Sequence, residues 1–177
     1  MELTAIKIKS NYQGVVVIDD HSITTYDLDF LQTKFSLIFK NNYFHITEGD
    51  DYHQYKWSNY ILSELQIRGG VCHLKMTTAD TFTLVQGRAR VHLYYDINHM
   101  IYCNDGGELR GPCCINHMTM RIHDGVVKKL TMNKVNMMIE KYCIIHVQCI
   151  EYKVKLDKTS EVIINDVKIP YKYKAKL

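Results

Sequence analysis

The chain has 177 residues, of which 46% are hydrophobic and 23% are charged, as in an ordinary globular domain. A chain of this length buries roughly 70% of the surface that it exposes when unfolded, so we expect one domain that is stable without disulfides or metals. Thirteen tyrosines and only two prolines exclude a disordered chain. The longest apolar runs, such as residues 15–18, are far too short to span a bilayer, so any membrane contact is expected to be peripheral.

The formal net charge of +3 is unevenly distributed along the chain. Residues 1–120 contain ten Lys and Arg against thirteen Asp and Glu, whereas residues 121–177 contain twelve against six. The last ten residues hold four lysines and no acid. This asymmetry predicts an anionic partner for the C-terminal third of the chain. A solubilising tail is the alternative interpretation. No signal peptide opens the chain, so its six cysteines are expected to be free thiols in a reducing compartment.

The predicted elements begin with strands. Residues 5–8 alternate weakly, and residues 15–18 form a β-branched apolar run that ends at two aspartates. Residues 31–40 alternate between apolar and polar side chains and end at Asn41-Asn42. This pattern is typical of a half-buried strand followed by a turn.

Two helices are predicted further along. Trp57, Ile61 and Leu65 recur at helical spacing before a stop at Gly69-Gly70. Residues 126–142 are rich in Met, Leu and Lys, which favour a helix. In that second helix, the core-facing residues are expected to be Met138, Ile139 and Tyr142, and the residues on the opposite side to be Lys128, Lys129 and Lys134.

The remaining elements are predicted strands, at residues 71–76, 81–95, 97–103, 113–123, and a closing hairpin of residues 144–156 and 161–169. The sequence NDGG at residues 104–107 predicts a turn. No internal repeat is apparent. These elements predict an α+β domain with a mostly antiparallel β-sheet packed by two helices. We divide the chain into an N-terminal segment (1–20), a globular domain (21–169) and a basic tail (170–177).

The sequence contains none of the motifs GxxxxGK[ST], GxGxxG, GxSxG, HExxH or CxxC. We therefore predict no catalytic residue and no cofactor. A zinc site or a thiol dyad is the alternative for the Cys/His-rich middle, which contains His92, His99, Cys103, Cys113, Cys114, His117 and His123. Zinc modules usually supply their ligands in close pairs, and nine residues separate Cys103 from Cys113. Buried thiols and surface histidines are the favoured interpretation.

The tail interleaves rings and cations at residues 171–174. This pattern is typical of single-stranded nucleic-acid binding. It equally suits an anionic membrane surface, where each lysine contributes about 1 kcal/mol. A nucleic-acid-binding viral protein, such as a host-defence antagonist, is therefore kept as an alternative function.

Four motifs follow one another along most of the chain. They are Tyr26-Asp27 with Leu31, Lys34 and Phe35; Trp57 before paired glycines; Gln86-Gly87-Arg88-Ala89; and residues 118–124 followed by YKVKLDKTSEVIIND. In this order they resemble the globular core of rhabdovirus matrix proteins, most of all the plant cytorhabdovirus type. The lysine-, asparagine- and tyrosine-rich composition suits an AT-rich viral genome.

The resemblance implies a structural protein that lies in the virion between the envelope and the nucleocapsid, and in the host at cytoplasmic and inner membrane surfaces. It implies condensation of the ribonucleoprotein and support of budding. The implied partners are further copies of the chain in a non-closing head-to-tail oligomer, the viral nucleocapsid, an anionic membrane surface, and a glycoprotein tail or host factors. No enzymatic activity is implied.

The resemblance also implies two sets of site residues. Self-association through the N-terminal segment is assigned to Leu3, Ile6, Ile8, Val15, Val16 and Val17. Binding to anionic membrane or nucleocapsid is assigned to Lys7, Lys9, Lys128, Lys129, Lys172, Lys174 and Lys176. An edge strand of the molecule's own sheet is the alternative for residues 15–18. Two departures from the family are the lack of a Pro-rich budding motif and a short, polar loop at residues 76–80.

Overall fold

The computed structural model of the protein describes residues 2–8, 14–20, 22–26, 35–40, 43–50, 53–56 and 60–171. All regular secondary structure in these residues is β-strand. In chain order the strands are β1 Glu2–Ile8, β2 Val15–Asp19, β3 Ser22–Tyr26, β4 Phe35–Lys40, β5 Tyr43–Asp50, β6 His53–Lys56, β7 Tyr60–Ile67, β8 Val71–Lys75, β9 Thr78–Gln86, β10 Arg90–Leu93, β11 Ile97–Asp105, β12 Glu108–Arg110, β13 Cys114–His123, β14 Val126–Ile139, β15 Ile144–Leu156, β16 Glu161–Ile164 and β17 Val167–Lys168.

The strands build a β-solenoid-like stack with two faces. Face A contains β2, β8, β10, β12 and β16, with the first parts of β14 and β15, all in parallel register. Face B contains β5, β1, β7, β9, β11 and β13, with the last parts of β14 and β15. From β8 onward each coil of the chain gives one strand to each face, so the strand of one face serves as the crossover for the other.

The coils repeat every 17 to 19 residues. On face A the residues of one inward column are in direct register, namely Cys72, Val91, Leu109, Val127, Ile145 and Val162. All six are buried. The expected lack of an internal repeat is therefore wrong, because the repeated feature is a position in the coil rather than a residue type.

The core lies between the two faces and is filled by such columns. On face B one column consists of Leu65, Leu84, Tyr102, Met120, Met137 and Val154. Every member is buried. Complete burial of a Leu or Ile side chain contributes about 1.5–3 kcal/mol, so stacking of the coils supplies the core that one coil cannot form alone.

The predicted α+β class is wrong, because both predicted helices are strands. In β14 the buried and exposed residues alternate except at Lys128-Lys129 and Asn133-Lys134, where two successive residues are exposed. Each of these points lengthens the spacing between buried residues from two to three, which imitates a helix. Of the predicted core residues, Ile139 is buried, whereas Met138 and Tyr142 are 44% and 63% exposed.

The first predicted helix is wrong for a different reason: the spacing of four between Ile61 and Leu65 is even, so the sequence pattern fits a strand as well as a helix. Leu62 and Leu65 are both buried in β7, and the register with β9 shifts between Leu62 and Glu64. The bulge therefore produces a spacing of three within a strand. Trp57 lies outside the described residues. The helices implied by the resemblance to rhabdovirus matrix proteins are thus missing from the described part of the chain.

The predicted closing hairpin is also wrong. Residues 144–147 of β15 pair with residues 161–164 of β16 in parallel, as neighbouring coils. The hairpin at this end is instead β16–β17, which is antiparallel. Its turn residues Asn165 and Asp166 both have positive φ, at 52° and 62°, as a two-residue type I′ turn demands. Most of the other predicted strands are confirmed, among them β8, β11 and β13.

Face B connects to face A at a corner with demanding backbone geometry. Gly106, Asp124 and Tyr142 occupy the same corner position in successive coils, with φ values of 90°, 55° and 52°. A left-handed conformation costs a residue with a side chain about 1–2 kcal/mol. Beside the first of them, a Cβ on Gly107 would clash with the carbonyl oxygen of Gly87.

Buried amides complete this corner. The Asn104 Nδ2 donates to the carbonyl oxygen of Gly107 at 3.0 Å, and the Gly107 N–H donates to Asn104 Oδ1 at 2.8 Å. The Tyr102 hydroxyl donates to Gln86 Oε1 at 3.1 Å. Because a buried polar group without a partner is costly, these bonds fix the turn between the faces.

At the opposite corner, where face A connects to face B, an asparagine ladder joins the coils. Asn98 Nδ2 donates to Asp80, Asn116 Nδ2 donates to Asn98 Oδ1 at 2.9 Å, and Asn133 Nδ2 donates to Asn116. Asn165 acts similarly at the end of the stack, because its side-chain amide bonds both the N–H and the carbonyl oxygen of Cys149, at 2.8 and 2.7 Å.

Candidate anion-binding site

A column of basic side chains runs along the outside of face A. One residue from each of five successive coils contributes to it in direct register, namely His73, His92, Arg110, Lys128 and His146. Strand alternation points them outward because neighbours such as Val91 and Leu93 face the core. Since adjacent strands lie about 4.8 Å apart, the column is about 19 Å long.

The first two imidazoles are held by their neighbours. The rings of His73 and His92 stack with their centroids 4.7 Å apart. The Tyr94 hydroxyl and His73 Nδ1 are hydrogen-bonded at 2.9 Å, and the Lys75 ammonium lies 5.2 Å from the centre of the Tyr94 ring. Arg110 Nε–H donates to His92 Nε2 at 3.4 Å, so that nitrogen carries no proton in this arrangement.

Two shallow depressions lie along the column and share Lys129. One has a volume of 280 Å³ and is lined by Tyr94, Arg110 and Lys129. The other has a volume of 350 Å³ and is lined by Lys129 and His146. Lys129 has a φ of 59° and lies where the register of β14 shifts, which leaves two successive lysines exposed. We call the column together with Lys129 the cationic trough.

Acidic side chains neutralise only part of the positive charge of the cationic trough. Glu108 lies 2.9 Å from Arg90 and 3.7 Å from Arg110, so one carboxylate is shared by two guanidinium groups. Within the described part of the chain, neither Lys128 nor Lys129 has an ion-pair partner. Their ammonium groups are therefore available to an anion.

Protonation of the histidines would add positive charge to the cationic trough. The pKa values of His73 and His92 lie below the ordinary value for histidine. Partial burial is the largest cause, followed by Lys75 and Arg110 at His73 and by Arg110 at His92. Both imidazoles are therefore neutral at pH 7. A bound anion would favour their protonated forms.

Face B carries a larger groove in which only part of the charge is paired. Its volume is 770 Å³, and His99, His117 and Lys134 are among the residues that line it. Lys134 Nζ lies 3.3 Å from Glu151, and His99 Nδ1 lies 3.7 Å from Asp80. Lys153 also lines the groove and has no ion-pair partner among the described residues, so the groove is only partly neutralised.

The structure brings together only part of the predicted basic set. Lys128 and Lys129 lie in the trough. Lys7 is exposed on β1, which belongs to face B, so it lies apart from them. The remaining predicted residues lie outside the described residues: Lys9, Lys172, Lys174 and Lys176.

The residues assigned to self-association lie in β1 and β2. Ile6, Ile8 and Val16 are buried in this molecule's own core. Val15 and Val17 are half-buried on face A. Leu3 pairs with Ile61 in the ladder of β1 and β7. Self-association through this segment stays a prediction.

The Cys/His-rich middle does not converge on one point. Burial raises the pKa of the Cys113 thiol to about 12, whereas His99 and His117 line the groove outside face B with their rings 5.0 Å apart. The Cys114 N–H donates to Asp96 at 2.7 Å. Among the described residues, no group of three or more His, Cys, Asp or Glu is placed to hold a metal ion.

Sequence reasoning missed four members of the trough: His73, His92, Arg110 and His146. The signal was their spacing, since they and Lys128 succeed one another at intervals of 18 or 19 residues. That spacing can be recognised only once the coil length is known, because His, Arg and Lys all occupy the same position of the coil.

The fold and the trough together define a β-solenoid-like protein with a cationic trough on face A. No protein-family model, no curated protein and no solved structure matches this chain. In the described part of the chain, no helix has the length and apolar character that crossing a membrane demands.

Proposed function

We propose that this chain is a structural protein of the viral matrix type that binds anionic partners through the cationic trough and associates with further copies of itself. The anionic partners are the nucleocapsid and the inner membrane surface, which the protein bridges during virus assembly and budding. One observation carries the proposal: five coils present basic side chains in register, and two of the lysines have no ion-pair partner in the described residues.

The periodic stack supports the binding role. A parallel ladder repeats each side-chain position about every 4.8 Å, so successive basic residues add to one continuous potential rather than to scattered charges. Such a surface attracts an extended anionic partner without demanding a deep pocket. The resemblance to rhabdovirus matrix proteins adds the biological setting, although the fold it implied is not found.

The end of the stack supports self-association. Face A ends in the β16–β17 hairpin, whereas among the described residues no strand pairs with β15 beyond Val147 on its outer side. Asn165 covers Cys149, and the next residue, Ile150, is 76% exposed. An uncovered strand edge recruits further strands, and a head-to-tail contact of this kind does not close.

Co-sedimentation with vesicles tests the binding role. We expect wild-type protein to bind phosphatidylserine-containing vesicles and to release them at high salt. Replacing Lys128 and Lys129 by Glu is expected to weaken binding at least tenfold, since each lysine near an anionic surface contributes about 1 kcal/mol. The matched control replaces Lys141 and Lys158, which are exposed at the corner between the faces, by Glu. Equal losses in both variants would contradict a role for the trough.

Light scattering tests self-association. The wild type is expected to form larger particles continuously as its concentration rises, and Ile150→Lys is expected to reduce this growth while leaving vesicle binding intact. A discrete dimer at every concentration would contradict a non-closing contact.

A further inference from the structure

We infer that the partner seated in the cationic trough is a single-stranded polynucleotide, whose backbone follows the trough and whose bases contact the aromatic rings at its His73 end. This inference rests on the proposed function, since it names the anionic partner of the same site.

The length and direction of the trough fit an extended phosphate chain. Stacked nucleotides place a phosphate about every 3.4 Å along one strand, so a column of about 19 Å reaches several successive phosphates. Arg110 and Lys128 are direct neighbours in the ladder, and Lys129 lies beside the second of them. Three permanent cations thus face one stretch of backbone.

Aromatic rings lie where bases would stack. The Tyr94 side chain is 40% exposed. The Tyr94 ring lines the depression next to Arg110 and is held in place through its bond to His73. A ring that is already ordered loses little conformational freedom on binding. Rings beside a positively charged groove are the combination that single strands use.

A membrane fits this surface less well than a single strand does. A bilayer is planar and meets the whole of face A, which also carries Glu108, Glu161 and Asp166. Glu161 is paired with Lys168 at 2.7 Å, and Asp166 lies 3.2 Å from His146. A strand lying in the trough meets fewer of these acids, because only Glu108 and Asp166 lie beside column residues, at Arg110 and His146.

Fluorescence anisotropy with a labelled 12-nucleotide oligouridylate is the direct test. If three cations contact phosphates, the logarithm of affinity should fall against the logarithm of salt concentration with a slope of about −2, from roughly −0.7 per contact. Replacing Lys128 and Lys129 by Gln should make this slope shallower by about 1.4. The Lys141→Gln, Lys158→Gln control should keep the wild-type slope.

Tyr94→Leu tests base stacking separately from charge. It should weaken oligouridylate binding roughly 5- to 100-fold and leave heparin binding, which involves no bases, within twofold of wild type. Tyr142→Leu, at an exposed corner, is the matched control and should bind oligouridylate normally. Melting temperatures of all variants separate lost binding from lost folding.

The outcomes distinguish the inference from the proposed function. Binding to vesicles without binding to oligouridylate would overturn the inference and leave the proposed function standing. Binding to neither would overturn both. Equal affinity for heparin and oligouridylate, unaffected by Tyr94→Leu, would show a general polyanion surface and would also overturn the inference.

Discussion

Faces A and B share one coil geometry but arrange their charged side chains differently. On face B, Arg121 lies 2.6 Å from Glu140, and Lys134 lies 3.3 Å from Glu151. On face A, the described residues offer Lys128 and Lys129 no acidic partner. The ladder brings side chains of successive coils together on both faces, so the choice of residue alone decides whether the cations are neutralised. A stacked fold can therefore place a column of basic side chains on one face and ion pairs between successive coils on the other.

The largest expected effect concerns the packing that keeps face A continuous. A Cβ on Gly111 would clash with the backbone carbonyl of Leu93 in the adjacent coil. Gly111→Ala should therefore lower the free energy of unfolding by about 2–3 kcal/mol. Gly87→Ala is the control. Its Cβ would lie 3.2 Å from Arg68 Cα, and a small shift relieves this mild overlap. Chemical denaturation of both variants measures the difference, and equal stability would contradict the tight contact.

The next effect concerns the corner that joins the faces. Tyr142 has a φ of 52° and an exposed side chain, so Tyr142→Gly should raise the free energy of unfolding by about 1 kcal/mol. Gly106→Ala changes the equivalent corner position in the opposite sense and should lower it by about 1–2 kcal/mol. Thermal unfolding checks both. A destabilised Tyr142→Gly variant would show that the ring contributes more than its backbone conformation costs.

A smaller effect is expected when the carboxylates that pair with cations on face B are removed. Replacing Glu140 and Glu151 by Gln removes the partners of Arg121 and Lys134. Because exposed ion pairs contribute little to stability, the fold should persist while affinity for oligouridylate rises about two- to threefold, as two more cations become available. Unchanged affinity would show that exposed cations on this fold are insufficient without the aromatic rings of face A.

The smallest expected effect is a pH dependence specific to face A. Because the folded-state pKa values of His73 and His92 are lowered, the unfolded chain binds protons more readily. Their contribution to stability is present above the unfolded value of about 6.5 and is lost as the pH falls through the lower folded values. Replacing both by Gln should flatten the stability profile below pH 6.5 and leave it unchanged at pH 7.5. If the free energy of unfolding of the variant still fell below pH 6.5 as it does in the wild type, the assignment of this pH dependence to the two histidines would be contradicted.

Much of the strand content was predictable, whereas its assembly was not. Alternation correctly located β8, β11 and β13, because each has one buried and one exposed side. The false helices came from the Met-, Leu- and Lys-rich composition of residues 126–142 and from the even spacing of Ile61 and Leu65, which fits a strand as well as a helix. Parallel register left no local signal, because partners in the ladder are 17 to 19 residues apart and differ in type.

The trough was predictable only in part for the same reason. Lys128 and Lys129 were predicted to lie together on the side of a helix that faces away from the core, whereas the fold makes them part of a site by placing Arg110 in the preceding coil and His146 in the following one beside them. The ring of Tyr94 joins them through the fold alone.

The side chain of Asn165 sets how long this protein can be. By bonding both backbone groups of Cys149, it takes the place that one more turn of chain would fill, and it thereby acts as a terminator. A unit of about 18 residues inserted ahead of it would lengthen the rod by roughly 4.8 Å and add one rung to each face. The length of the trough on face A is thus a count of turns, which insertion or deletion of whole units can change without redesigning the core.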